Sequence, residues 1–179
     1  MKPVIKIEGS NGFRMRTITK EDIELLREWK NDHRQFFFYD KLIGPEQQQM
    51  WYSQFAQRSN DVMFIILVEG HKVGCIGTRL LSPDDVDIYN VILGEKTFEG
   101  KGIMSTALNA TSKLNRLLYP TSAIHVRVLL SNPAVAWYKK NGFVTVDERD
   151  NYVLMVHKDV TLGSTQLLCT MMVDLPFER

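Results

Sequence analysis

Two glycines flank a lysine at Gly100-Lys101-Gly102, just after the apolar run Asn90-Val91-Ile92-Leu93-Gly94 and just before a helical pattern opening at Ile103-Met104-Ser105. Glycine permits positive φ and lets the main chain approach a ligand with no Cβ in the way. Unpaired N–H groups and the positive dipole end of the new helix then favour an anion, and Lys101 adds one local charge. The turn at Gly100-Lys101-Gly102 and the helix start at 103–105 are therefore a candidate phosphate site. A plain strand-to-helix turn uses the same residue types. A Walker loop is excluded, because no Gly-Lys-Ser/Thr ending is present. A dinucleotide fold is excluded too, because the preceding strand follows two hairpin-like turns and does not open a βαβ unit.

Some thirty residues downstream stands Ser131-Asn132-Pro133-Ala134-Val135-Ala136-Trp137-Tyr138-Lys139-Lys140-Asn141-Gly142-Phe143. Asn132-Pro133 reads as a cap plus first helical residue, and Gly142 as the helix stop. Together the two segments resemble the GNAT superfamily, whose acetyl-CoA loop follows Arg/Gln-x-x-Gly-x-Gly/Ala and whose later helix follows Asn-x-x-Ala…Tyr…Gly-Phe. The resemblance covers residues 13–143. It implies acetyl-CoA as co-substrate, with the backbone of Ile92, Leu93 and Gly94 along the pantetheine arm, residues 99–105 around the pyrophosphate, and Asn132 or Ser131 at the cofactor. Tyr138 matches the tyrosine that donates to the leaving sulfur. A tyrosine packed beside Trp137 and Phe143 is the structural alternative. Glu99 stands where the family has Arg or Gln, Met104 where it has Gly or Ala, and Asn132 lies one residue closer to Tyr138 than is common.

Direct attack by an amine requires positioning, a route for the amine's proton, and a proton for the departing thiolate. With reference values near 10 for tyrosine and about 8.5 for a thiol, Tyr138 stays protonated at neutral pH. The polar groups available along the route of that proton, which a chain of water could also carry, are Asp87, Asn90, Glu95 and His125; His125 is the candidate base among them, and it also reads as a hydrogen-bonded structural histidine. Acceptor choice in the family is set largely by the first two helices and their connection, so the resemblance implies this role for Asp32-His33-Arg34-Gln35-Phe36-Phe37-Phe38-Tyr39-Asp40-Lys41. Stacked aromatics such as Phe37 and Tyr39, with Arg34 and Lys41 nearby, could take a sugar ring, a base and a diphosphate, and Asn90 is a further substrate-binding candidate; the same rings could staple helices to the sheet. Residues 25–31 and 46–51 resemble the branch that acetylates nucleotide-linked amino sugars in surface polysaccharide pathways, itself similar to the acetylases of ribosomal-protein N termini. An aromatic and basic loop favours the amino sugar, since a site for polyamines or basic peptides would carry clustered carboxylates. A protein N-terminal or small-amine acetyltransferase, and a non-catalytic acyl-CoA-binding module, are the other readings.

The elements that must hold these groups follow from periodicity. A strand at 13–16 precedes a helix from a Thr19 cap to about residue 31, with Ile23, Leu26 and Trp29 on one face. Gly44-Pro45-Glu46 opens a second helix, ending near residue 60. Strands are expected at 62–68, 73–81 and 86–94, then a helix bearing Ile103, Ala107, Ala110, Leu114, Leu117 and Leu118, a strand at 124–130, a short helix at 134–141, and strands near 152–157 and 166–173. The result is an α/β (α+β) GNAT-type fold, a mixed, mostly antiparallel sheet of about seven strands with helices on both faces, forming one domain over residues 1–179.

The chain has 179 residues, 44% of them hydrophobic, which is enough for one core and too few for two ordinary domains. Twenty-two basic residues against 21 acidic ones leave a charge of +1, so no global field draws it to nucleic acid or membrane. Cys75 and Cys169 lack disulfide or zinc spacing and read as buried reduced thiols, and no histidine pair has metal-ligand spacing. The sequence MKPVIKIEGSNG lacks a signal-peptide core, and no run suits a membrane span, so a cytoplasmic protein acting on a small-molecule amine is expected, with a homodimer allowed.

Overall fold

The computed structural model describes residues 2–158 and 170–174. Its strands are β1 (Val4–Glu8), β2 (Phe13–Thr17), β3 (Asp61–Val68), β4 (His71–Ser82), β5 (Asp85–Leu93), β6 (Ala123–Leu129), β7 (Phe143–Glu148), β8 (Tyr152–His157) and β9 (Thr170–Asp174). The helices are α1 (Ile23–Asp32), α2 (Pro45–Gln57), α3 (Ile103–Leu118) and α4 (Ala134–Lys140). The strands form a single sheet in the order β7-β8-β6-β5-β4-β3-β2-β1-β9. Every neighbouring pair runs antiparallel except β5 and β6, so the fold class is the expected one. Strands β1 and β7 were not anticipated, and of the strand expected at 166–173 only residues from 170 onward lie among those described.

Each face of the sheet buries its own set of side chains because strand residues alternate. On one face Phe64, Ile66, Ile76, Val86, Ile88, Ile124 and Val126 pack against Ala107, Leu108 and Leu114 of α3. On the other, Met63, Ile65, Cys75 and Ile92 meet Leu26 and Trp29 of α1 and Phe55 of α2. The helices differ from expectation at their ends. Leu117 and Leu118 in the last turn of α3 are exposed, and α2 stops at Gln57, where Arg58 turns to an extended backbone. No helix among the described residues is long and apolar enough to cross a membrane.

The entry to α1 is fixed by a buried charge. Asp22, fully enclosed, accepts from Arg16 Nη1 at 2.7 Å and Nη2 at 2.9 Å, from Lys72 Nζ at 2.7 Å, and from the Thr19 N–H at 2.8 Å. The expected Thr-x-x-Asp cap is thus also a tie between β2 and β4. Burial pushes the Asp22 carboxyl up, but the bonds from Arg16, Lys72 and Thr19 outweigh it and hold the group well below the usual carboxylate range. A carboxyl depressed in the folded state stabilises above its unfolded pKa and loses that contribution as pH falls through the folded one. Asp22→Asn is expected to cost about 3 kcal/mol at pH 7, with the gap to the parent protein narrowing below about pH 4; urea melts across pH measure both.

Candidate active site

The site begins where two strands part. β5 and β6 are in register only at Asp85/Ala123, Val86/Ile124 and Asp87/His125. Beyond that, β5 stays with β4, reaching Leu93 opposite Gly74, while β6 stays with β8, from His125/Val156 to Leu129/Tyr152. The β4–β5 register shifts between Cys75 and Gly77, where Tyr89 to Ile92 span one residue more than their partners. Asn90 sits there with φ +47°, a bulge that bends β5 away from β6. Between the separated strands lies a cleft of about 1130 Å³. That exceeds the roughly 300–1,000 Å³ of an ordinary small-ligand pocket, leaving room for a long cofactor arm and an acceptor together.

One end of the cleft is the start of α3. Gly100 and Gly102 have φ of +72° and +74°, and a Cβ added at either would meet nothing within 4 Å. The first helical bond runs from the Thr106 N–H to the Gly102 carbonyl, so the N–H groups of Ile103, Met104 and Ser105 have no acceptor within the helix. An open glycine cradle carrying free donors fits the diphosphate of coenzyme A. Met104 is accommodated by a glycine elsewhere: a Cβ on Gly74 would stand 3.2 Å from Met104 Sδ and 2.4 Å from the Ile92 carbonyl oxygen.

At the apex, Tyr138 of α4 lies buried with edge-on contacts to Trp137 at 4.9 Å and Phe143 at 5.4 Å. Burial first, and the nearby Asp87 charge second, push its phenol up, so it remains a proton donor. Asp87 is buried and accepts from Arg79 Nε at 3.0 Å and Nη2 at 2.7 Å, with Arg127 Nη2 at 3.8 Å. His125 stands behind it, Nδ1 at 2.5 Å from Asp85 and Nε2 at 3.5 Å from Asp87, and does not line the cleft. The third wall comes from α1 and the loop after it. Lys30 Nζ donates to Asn90 Oδ1 at 2.5 Å and lies 3.2 Å from the Phe37 ring centroid.

The structure gathers Ile92, Leu93, Glu99, Gly100, Gly102, Ile103, Met104, Ser105, Asn132, Tyr138, Phe37, Tyr39 and Asn90 around this one cleft. Asn132, not the exposed Ser131, reaches it. The Asn132 Oδ1 caps α4 through the Ala134 N–H at 2.9 Å, and its Nδ2 donates to the Phe36 carbonyl at 3.3 Å, joining α4 to the segment between α1 and α2. Arg34, Lys101 and Gly94 do not line the cleft. Arg34 is exposed and donates to the Asn31 carbonyl, and Lys101 folds over the Phe98 ring. Gly94 is glycine for packing: an added Cβ would sit 2.0 Å from the Trp29 indole, and its N–H donates to the Val73 carbonyl. Lys30, Arg79 and Arg127 were missed. Each sits in a sequence context that reads as a solvated charge, and only the long-range pairing brings them inward.

The chain belongs to the acetyltransferase (GNAT) domain family, which matches residues 13–144. An uncharacterized protein of Methanocaldococcus jannaschii is 29% identical over 144 residues, or 77% of this chain, and the chain spans 29% of that protein's length. Among solved structures, FdhC, a nucleotide-linked sugar GNAT, superposes with a TM-score of 0.68 at 17% identity, over 82% of this chain and 86% of that one. RimL, a ribosomal L7/L12 alpha-N-protein acetyltransferase, superposes at 0.71 with 17% identity, over 88% and 95%. At such identities the two share this fold.

Alanine at Gly102 would be strained by its positive φ and would place a methyl in the cradle. Gly102→Ala is expected to weaken acetyl-CoA binding about tenfold by calorimetry, a change of about 1.4 kcal/mol. Gly44→Ala, at an ordinary φ of −77° in open space, should leave it unchanged.

Proposed function

We propose that this chain acetylates the amino group of a nucleotide-linked amino sugar by direct attack of the amine on acetyl-CoA. The observation that carries the reading is one cleft with the α3 cradle at one end, Tyr138 at the apex and a cationic, aromatic wall facing them. Acetyl-CoA supplies an activated acetyl carbonyl on a thiol leaving group. The chain's own groups do the rest. Amides 103–105 hold the diphosphate, and the unpaired edge of β5 from Ile92 to Leu93 aligns the pantetheine as an added strand would. Tyr138, kept protonated, donates to the sulfur as it leaves.

The acceptor is argued from charge. Apart from the Arg79–Asp87 pair, which cancels, the lining sets Lys96 and Arg127 against Glu99, and Lys30 adds a third positive charge only when protonated. A wall of that sign repels a polyamine and attracts a diphosphate. Phe38 and Tyr39 are exposed at the mouth, where a base or sugar face can stack. Lys30 covers one face of Phe37, which leaves the ring as support for the lysine.

Thiol release from acetyl-CoA, measured with nucleotide-linked amino sugars, polyamines and N-terminal peptides, should give the highest kcat/KM for the amino-sugar nucleotides. A polyamine or peptide optimum would overturn the acceptor class and leave transfer standing. Tyr138→Phe should lower kcat about 100-fold with acetyl-CoA affinity unchanged; an acyl-CoA sensor would lose nothing.

A further inference from the structure

The proton that an amine must shed has no evident destination at the apex. The two ring nitrogens of His125 face Asp85 and Asp87, and the Asp87 carboxylate is held by Arg79. Lys30 differs from both. It lines the main cleft and also a smaller cavity of about 260 Å³ beneath α1 and α2, so its amine stands in the partition between them. Its contacts there are the Asn90 amide oxygen and the Phe37 face, and among the described residues no carboxylate pairs with it.

The groups around Lys30 carry little compensating charge. From β4 comes the Cys75 thiol, which burial pushes up to about 12, so it is neutral at physiological pH. From β5 comes Tyr89, whose hydroxyl donates to Asp61. The loop brings Tyr39, whose hydroxyl accepts from Gln47, and α2 adds the Gln47 and Gln48 amides and the Trp51 ring. Just past the end of α1, His33 lines the same cleft with Nδ1 2.9 Å from the Trp29 carbonyl oxygen. Burial in such surroundings lowers the Lys30 pKa to about 7. Its protonated form is held by Asn90 and Phe37, and its neutral form presents a lone pair to the cleft.

We propose that Lys30 Nζ is the base that takes the proton from the incoming ammonium, an assignment that rests on the transfer reaction proposed above. The balance closes. Neutral Lys30 accepts one proton from R–NH₃⁺, and the freed amine forms the N–C bond as the C–S bond breaks. The second proton leaves nitrogen and reaches sulfur through the Tyr138 hydroxyl, and Lys30 returns its proton to water. The products are the amide, the free thiol and one proton.

The test uses whichever amine gives the highest turnover in the acceptor panel, with Lys30→Met and Lys30→Arg compared across pH 5.5 to about 10. Wild-type kcat/KM should rise through a limb near pH 7. Both variants should bind acetyl-CoA normally by calorimetry, lose about 100-fold or more in kcat at neutral pH, and lose that limb. NMR of ¹⁵Nζ-lysine protein should show one amine titrating near 7 that is missing from Lys30→Met. Restored activity in Lys30→Arg would show that charge alone is needed and overturn the proposal. So would an unshifted profile in Lys30→Met, or a Lys30 amine titrating with the ordinary lysines. If no amine releases thiol although acetyl-CoA binds, the transfer reading itself fails and this assignment falls with it, an outcome distinct from the others.

Discussion

The separation of β5 from β6 after three paired residues is the constraint on which the rest of the molecule depends. A strand pair that opens in mid-sheet leaves main-chain donors and acceptors without partners, and such groups are costly unless water or a ligand meets them. Here the opening is enforced from both sides. The bulge at Asn90 turns β5 toward β4, and β6 spends its other edge on β8 along its described length. Each half of the sheet rests on packed side chains, so the gap cannot close by collapse. The unpaired edge of β5 is thereby available to a ligand arm of extended shape, with the amides of α3 waiting at its far end.

Much of this was legible in the sequence, for physical reasons that differ by element. Strand β4 to helix α3 was readable because apolar runs alternate with Gly and Pro-Asp turns, and the glycines at 100 and 102 do take the positive φ expected of them. Strand β1 was missed although Ile5 and Ile7 alternate inward, because five residues near a terminus carry little pattern. Strand β7 was missed because only Phe143 of its six residues is buried. The cradle was visible because backbone chemistry leaves a local trace in glycine placement. Lys30, Arg79 and Arg127 were not, since what makes them functional candidates is a partner 60, 8 or 40 residues away, at Asn90 or Asp87. Gly94 shows the converse: a glycine beside a motif whose reason is the Trp29 indole, from another element.

The charges at the cleft show why its two polar ends could act in opposite senses. Burying Asp87 costs several kcal/mol unless strong partners meet it, and Arg79, Arg127 and His125 do so. Its field falls on Tyr138, where it adds to burial in keeping the phenol protonated. Raising a phenol above 10 makes full proton transfer to a thiolate of pKa about 8.5 uphill by at least about 2 kcal/mol. In the proposed transfer Tyr138 is therefore better suited to hold a hydrogen bond on sulfur, or to relay a proton it immediately regains, than to end as tyrosinate. Across the cleft the same low-dielectric setting acts on a cation that no carboxylate meets among the described residues, and it drives Lys30 the other way. One environment thus stabilises the neutral form of both groups, an O–H on one wall and an amine lone pair on the other, and moves their proton affinities further from and nearer to neutrality respectively. In the transfer proposed above, that pairing gives the proton lost from nitrogen an acceptor on one wall and the departing sulfur a donor on the other.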